Sequence, residues 1–298
     1  MPTPTPDIVR EVPHLAPRDL DANKGDFGRV LIVAGSRGMS GAAVLCAAAA
    51  LRGGGGLVRV AVPECILPIV AAGNPCYMTV PLPEDNDGRL SSDAGQELVE
   101  SMNQSTVAAV GPGLGRGDGV SSVVRAVLEK TTLPLVIDAD GLNALPPFLD
   151  LLKRRQGPCV LTPHPGEFAR LLGCDVPNVQ AHREELAVRF AADHGVVLVL
   201  KGRHTLVSDG RRLYVNDTGN PGMATGGTGD VLTGLTAALL GQGLEPFAAA
   251  QLAVYLHGSA GDLARDAMGE TSLIAADLLE SLPYAFMAHA ADQTPSRH

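Results

Sequence analysis

Short runs of apolar residues recur along the chain at 29–34, 57–62, 107–110, 135–138, 160–162 and 196–200. Because they are apolar on both faces rather than alternating, they predict parallel strands in a sheet covered by helices on both sides. The stretches 41–52, 119–130, 165–173 and 179–194 between them have helical length and pattern, so the alternation predicts a doubly wound, three-layer α/β/α sandwich. The pattern changes after Lys201, where 205–208 and 211–215 flank Asp209-Gly210. Such a pair predicts a hairpin with a tight turn, an antiparallel edge on an otherwise parallel sheet. A helical run from 231 to about 282 follows, broken near Gly241-Gln-Gly243 and at Gly269. No linker divides the chain, so 1–298 is expected to be a single domain, with 1–23 and 288–298 as loosely held termini.

Composition narrows the function classes. With 298 residues and 45% hydrophobic content the chain can bury a large core. A net charge of -9 and 3% aromatic content without Trp argue against a basic groove or base-stacking platforms, so no nucleic-acid partner is expected. No apolar run approaches membrane-spanning length and no signal peptide is visible; no membrane partner is expected, and a cytoplasmic location is. The cysteines at 46, 65, 76, 159 and 174 lack C-x-x-C spacing and are expected to be reduced packing residues.

The chemistry gathers at the carboxyl ends of the predicted strands, where open α/β sheets bind ligands. Its centre is Gly222-Met-Ala-Thr-Gly-Gly-Thr-Gly-Asp230, running into the apolar stretch 231–240. Glycines at 226, 227 and 229 let backbone amides approach a ligand, and the following helix adds unpaired donors and a positive dipole end. Gly226, Gly227, Thr228 and Gly229 therefore read as an anion hole. A carboxylate beside a bound phosphate is repelled by it, which suits Asp230 to taking a proton from an attacking hydroxyl; the simpler alternative is that Asp230 caps a buried helix.

Other strand ends carry further candidates. Gly35 to Gly41 imitates a dinucleotide fingerprint but lacks G-x-G-x-x-G, and no Gly-Lys-Ser/Thr of a Walker loop occurs; it reads as a substrate wall made of backbone. Gly111-Pro-Gly-Leu-Gly115 after a buried strand suits close approach to a ligand. In Asp138-Ala-Asp140 two carboxylates leave one strand together; Asp140 suits either Mg²⁺ held through water or a helix cap, and Asp138 capping or packing. His164, fixed between two prolines, reads as a substrate contact. Glu167 complements a helix dipole, with a water-bridged metal contact as its second reading. Lys201 suits a phosphate contact or a solvated strand end, while Gly202 and Thr205 suit a nucleotide.

Together these motifs resemble the ADP- or ATP-dependent NAD(P)H-hydrate dehydratase family of the ribokinase-like superfamily. The resemblance covers about residues 24 to 282 and rests on Lys24-Gly-Asp-Phe-Gly-Arg-Val, Gly41-Ala42, Val110-Gly-Pro-Gly-Leu-Gly115, Asp138-Ala-Asp-Gly-Leu-Asn143, Thr162-Pro-His-Pro-Gly-Glu167, Lys201-Gly202 with Thr205, Ala224-Thr-Gly-Gly-Thr-Gly-Asp-Val-Leu232 and Ser272-Leu-Ile-Ala-Ala-Asp277. It implies a ribokinase-like fold and a repair lyase that phosphorylates the C6 hydroxyl of hydrated NADH or NADPH and eliminates phosphate. It further implies Mg²⁺ and an adenine nucleotide, ADP rather than ATP, as phosphoryl donor. By the same resemblance Ala42, Gly113, His164 and Asp230 face the hydrate, and Lys201, Gly202, Arg203, His204, Thr205 and Gly229 the nucleotide. The epimerase domain that many members carry in front is not expected here. A ribokinase-like kinase of a vitamin alcohol (hydroxymethylpyrimidine, pyridoxal or hydroxyethylthiazole) would use the same groups, and a nucleotide-binding regulator without turnover is the rival from another class. The apolar C-terminal helices suggest a homo-oligomer, a tetramer.

Overall fold

A computed structural model describes residues 5–291. Ten strands form one sheet: β1 (Asp7–Ile8), β2 (Arg29–Val33), β3 (Leu57–Pro63), β4 (Met78–Leu82), β5 (Val107–Val110), β6 (Leu135–Ile137), β7 (Cys159–Leu161), β8 (Val197–Leu200), β9 (Leu206–Ser208) and β10 (Arg212–Val215). Their order is β1-β10-β9-β8-β7-β6-β5-β2-β3-β4. All neighbours are parallel except the β8–β9 and β9–β10 pairs, so the expected antiparallel hairpin lies toward one edge. The central runs β5, β6, β7 and β8 are buried along their whole length, as strands covered on both faces must be.

Two helical layers enclose the sheet and produce two large hydrophobic cores, with a small third cluster at Ala264, Leu273 and Leu278. One forms around Ile32, Val60 and the helices Ser40–Arg52, Thr228–Gly241 and Pro246–Met268; the other around Leu31, Leu98, Ile137 and Phe168. Alternate residues of β2 point to opposite layers, which is why Leu31 and Ile32 fall in different cores. The helices Ser40–Arg52 and Thr228–Gly241 cross so closely that a Cβ on Gly234 would lie 1.9 Å from the carbonyl oxygen of Cys46. That contact fixes where the Gly-rich loop before position 228 enters the site.

Three features differ from expectation. The edge strand β4 is only partly buried and contains Pro81, which hides it from a reading based on apolar runs. The helix expected over 179–194 is two helices, Val176–Ala181 and Arg183–His194, separated at His182. Residues from Asp7 to Arg18 are tied down: β1 pairs with β10, Gln251 Nε2 donates to the Glu11 carbonyl (2.7 Å), His289 Nε2 donates to that of Pro13 (3.0 Å), and Arg18 lies over the Phe27 ring. At the other end, residues 288–291 continue the helix Ala275–Ala291, and 292–298 lie outside the described residues.

The strand order reverses between β2 and β5, because β2–β4 proceed one way and β5–β8 the other. A crevice opens at such a reversal beyond the carboxyl ends of the strands. There the loops after β2 and β5 meet: the Gly35 amide donates to the Pro112 carbonyl (2.7 Å) and the Ser36 hydroxyl to that of Gly113 (2.8 Å).

Candidate active site

The helix Thr228–Gly241 begins with Gly227 as its N-cap, in left-handed backbone at φ 94. No side chain caps this end, and among the described residues the amides of 226–230 donate to no other group. Unpaired helix-start donors normally find a partner, so five consecutive free amides make a ready cradle for an anion. Thr228 fixes the loop behind them, its hydroxyl reaching the carbonyls of Met223 and Thr225 at 3.1 Å each. The partly buried His257 Nε2 donates to the Thr228 carbonyl at 2.8 Å.

Asp230 occupies the first turn of this helix, is partly buried, and forms no hydrogen bond or ion pair among the described residues. The helix-cap alternative therefore does not describe it. Burial, and then the nearby carboxylate of Asp138, push its carboxyl up to about 7, against the pull of Lys201; Asp140 adds a smaller upward push. A carboxyl held there exchanges a proton readily near neutral pH.

Beneath it lies a buried ionic cluster assembled by strand adjacency. β6, β7 and β8 are neighbours, so the residues following them converge: Asp138, the His164–Glu167 turn, and Lys201. Lys201 Nζ donates to Asp138 Oδ1 at 2.7 Å and stands 3.9 Å from Glu167 Oε2. The second Asp138 oxygen accepts from the Thr233 hydroxyl at 2.7 Å. Burial works against the Lys201 ammonium, but Asp138 and Glu167 more than offset it and keep its proton on above the ordinary lysine value. Glu167 is raised, by burial first and then by Asp138, with Lys201 opposing.

These contacts correct two readings. Asp138, 0% exposed, is the N-cap residue of the helix Ala139–Ala144 but makes no side-chain cap bond; its carboxylate serves the ion pair instead. Lys201 is not a solvated strand end, since 19% of its side chain is exposed and its charge is paired. It still borders the cradle, because a Cβ on Gly229 would lie 3.4 Å from Nζ.

The remaining candidates surround this centre. Ala42 and Gly113 touch across the crevice: Gly113 has φ 63, and a Cβ there would come within 2.8 Å of the Ala42 Cβ. His164, 53% exposed, uses Nδ1 to accept from the Gly166 and Glu167 amides, while Glu167 Oε2 accepts from the His164 amide at 2.8 Å. This reciprocal cap fixes the ring at the carboxyl end of β7. Residues 201–205 form an exposed loop after β8. Within it His204 Nδ1 lies 3.2 Å from Asp217, and Thr205 donates to the Gly202 carbonyl at 2.8 Å. No internal contact holds the Arg203 side chain among the described residues.

Sequence reading missed Thr233, His257 and Arg183. Arg183 buttresses the loop by donating to the carbonyls of Leu200 (3.1 Å) and Lys201 (3.4 Å). Thr233 had one available sign, a hydroxyl one turn beyond Asp230 in an apolar helix. His257 and Arg183 had none, because both act on backbone distant in sequence.

Among the described residues no group of three or more His, Cys, Asp or Glu side chains is arranged to hold a metal. Asp140 Oδ2 accepts from the Gly115 amide (2.8 Å) and Oδ1 from Asn143 (3.3 Å), while Glu167 is engaged by the His164 amide and Lys201. That donor set fits Mg²⁺ carried mainly by nucleotide phosphates and reached from Asp140 or Glu167 through water.

A family model described as NAD(P)H-hydrate dehydratase matches residues 30–284. The chain belongs to this family. Among curated relatives, the bifunctional NAD(P)H-hydrate repair enzyme Nnr of Moorella thermoacetica is 48% identical over 273 residues, which are 91% of this chain and 51% of that protein. The chain thus spans about half the length of the curated relatives it matches. Among solved structures, the ADP/ATP-dependent NAD(P)H-hydrate dehydratase of Bacillus subtilis, co-crystallised with ATP/Mg²⁺, superposes with a TM-score of 0.80 at 33% identity, covering 92% of this chain and 94% of that one. A ribokinase-like superfamily protein of Enterococcus faecalis superposes at 0.77 with 28% identity, covering 92% and 91%. The fold is ribokinase-like, as the motifs implied.

Proposed function

We propose that this dehydratase-family protein repairs hydrated NADH and NADPH, using ADP, or ATP in its place, as the phosphoryl donor. One observation carries the reading: an unpartnered carboxyl poised at about 7 sits beside five free amides. Asp230 takes the proton of the C6 hydroxyl as that oxygen attacks the terminal phosphorus of the nucleotide. The bond from phosphorus to the departing nucleotide breaks, and the amides of 226–229 neutralise charge on the transferring group. The ring nitrogen then expels phosphate from C6, and loss of a C5 proton restores the double bond. Asp140 and Glu167 would hold Mg²⁺ through water, where it would supply positive charge to offset that of the nucleotide phosphates.

The assignment of individual residues is part of this proposal. Ala42, Gly113 and His164 wall the hydrate at the β2–β5 reversal, while Gly229 and residues 201–205 face the nucleotide. Burial and the Asp138 carboxylate keep the proton affinity of the base high, and Lys201 tempers that rise. The family match and the Bacillus enzyme support repair over a vitamin-alcohol kinase, which would stop at the phosphate ester.

No helix among the described residues is long and apolar enough to cross a membrane, and we place the protein in the cytoplasm. The C-terminal helices expose Leu263, Met268, Tyr284 and Met287, apolar side chains suited to covering by tetramer assembly; a monomeric mass by light scattering would refute it. The catalytic test mixes the protein with hydrated NADH, Mg²⁺ and either ADP or ATP and follows the reduced-nicotinamide absorbance. Nucleotide-dependent recovery is expected; formation of a stable phosphate ester without recovery would favour the kinase.

A further inference from the structure

A cavity of about 230 Å³ opens at the carboxyl ends of β5 and β6. Gly115, Asp140, Asn143, Arg116 and Arg170 line it, together with the first turn of the helix Asp118–Glu129. Asp140 also stands close enough to Asp230 to raise its carboxyl. The loop after β5 that gives Gly115 and Arg116 to the cavity also carries Gly113, so the cavity lies beside the crevice, and of the groups assigned to phosphoryl transfer only Asp140 borders it.

Its lining is cationic in a chain whose net charge is -9. The one acid that lines it, Asp140, accepts from the Gly115 amide and Asn143, and Asp118 opens the adjoining helix. Arg170 gives a single bond, from Nη1 to Asn143 Oδ1 at 2.7 Å, which leaves most of its five donors unused. The Arg116 guanidinium has no ion pair or hydrogen bond among the described residues. The amides of 116–120 likewise donate to nothing there, the first bonded one being Ser121 to the Gly117 carbonyl at 3.3 Å. Two underused guanidinium forks and an open helix start around one cavity suit a phosphate, which Arg grips in bidentate fashion.

We propose that this cavity binds a phosphate of the hydrated dinucleotide remote from its nicotinamide ring, held by Arg116 and Arg170. The inference rests on the repair reading, because a dinucleotide substrate carries phosphates beyond its ring while that ring lies against Asp230. Two phosphates meet the description: the pyrophosphate, common to both hydrates, and the C2′ phosphomonoester present only in the NADPH form. Either contact anchors the substrate without touching the reacting atoms, so it acts through KM.

The test is initial-rate kinetics of the full chain with hydrated NADH and hydrated NADPH, comparing wild type with Arg116→Ala, Arg170→Ala and Arg116→Lys. Both side chains are exposed, so the variants are expected to fold. The alanine variants should raise KM about 10- to 100-fold, the worth of a charge-assisted hydrogen bond, with kcat within about twofold; Arg116→Lys should recover part of the loss. A rise confined to hydrated NADPH assigns the C2′ monoester, and an equal rise for both hydrates assigns the pyrophosphate. Unchanged KM for both hydrates in both alanine variants overturns the site. Calorimetric titration with NADP⁺ separates this from the repair reading, since it needs no turnover. Weaker binding to Arg116→Ala supports the cavity even in a protein inactive on hydrates, and equal binding overturns it even in an active one.

Discussion

Replacing Asp230 with Asn should stabilise the protein while disabling it, and the gain should depend on pH in a defined direction. The carboxyl rises from 3.8 to about 7 on folding. A raised folded-state value contributes stability that is fully present below the unfolded value and is lost as pH climbs through the folded one. Wild type therefore loses stability between about pH 4 and 7 by roughly three units at ~1.4 kcal/mol each, about 4 kcal/mol at the upper limit. Asn carries no charge to desolvate, but its amide is left partly unsatisfied at a cost of about 1–2 kcal/mol. The net gain above about pH 8 is then roughly 2–3 kcal/mol, or about 4–6 °C in Tm at ~2 °C per kcal/mol for a chain of this size. Below about pH 4 the gain should vanish or reverse, because both states of the wild type are protonated. Thermal melts of both proteins across this range, without ligands, measure it. A Tm difference that is flat with pH, or largest in acid, would refute the reasoning that burial and the neighbouring Asp138 disfavour the charged form of Asp230.

Other perturbations test neighbouring parts of the account. Lys201→Met leaves the buried Asp138 carboxylate unpaired and should cost about 3–5 kcal/mol by denaturant titration; a loss under ~1 kcal/mol would mean that the 2.7 Å pair contributes little to folding. Gly234→Ala forces a methyl into the Cys46 carbonyl at 1.9 Å and should destabilise by about 1–3 kcal/mol or more, whereas a neutral melt would show that the two helices can separate freely. His257 titrates in the opposite sense to Asp230, since burial lowers its imidazole from 6.5 to about 4. A depressed value gives stability that is present above the unfolded value and lost as pH falls toward the folded one. His257→Gln should therefore flatten the acid decline of stability between about pH 6.5 and 4, and an unchanged decline would place its cause elsewhere.

The layered architecture was legible because buried parallel strands announce themselves as apolar runs, and the central strands β5 to β8 have no exposed position to interrupt the pattern. β4 was not, because an edge strand carrying Pro81 needs neither continuous burial nor a full hydrogen-bond ladder. The N-terminal segment looked loosely held because its anchors, such as the bonds to Glu11 and Pro13, come from side chains at Gln251 and His289. The Gly-rich loop and Asp230 could be read locally, since glycine spacing and a helix start are local facts. The ion pair of Lys201 with Asp138 could not, because it depends on β6 and β8 flanking β7. Sequence placed both residues at strand ends; only strand order made them partners and gave Lys201 a buried counter-ion at the edge of the cradle.

The central claim is that Asp230 is the base, and the pH dependence of kcat/KM for hydrated NADH, in wild type and Asp230→Asn, tests it most directly. Because kcat/KM reports the free enzyme, the wild-type profile should fall on its acid side with an apparent pKa near 7. The Asn variant should be slower by roughly 10²- to 10⁴-fold and lack that limb. An Asn variant within a few-fold of wild type, or one that keeps the same acid limb, would contradict the account.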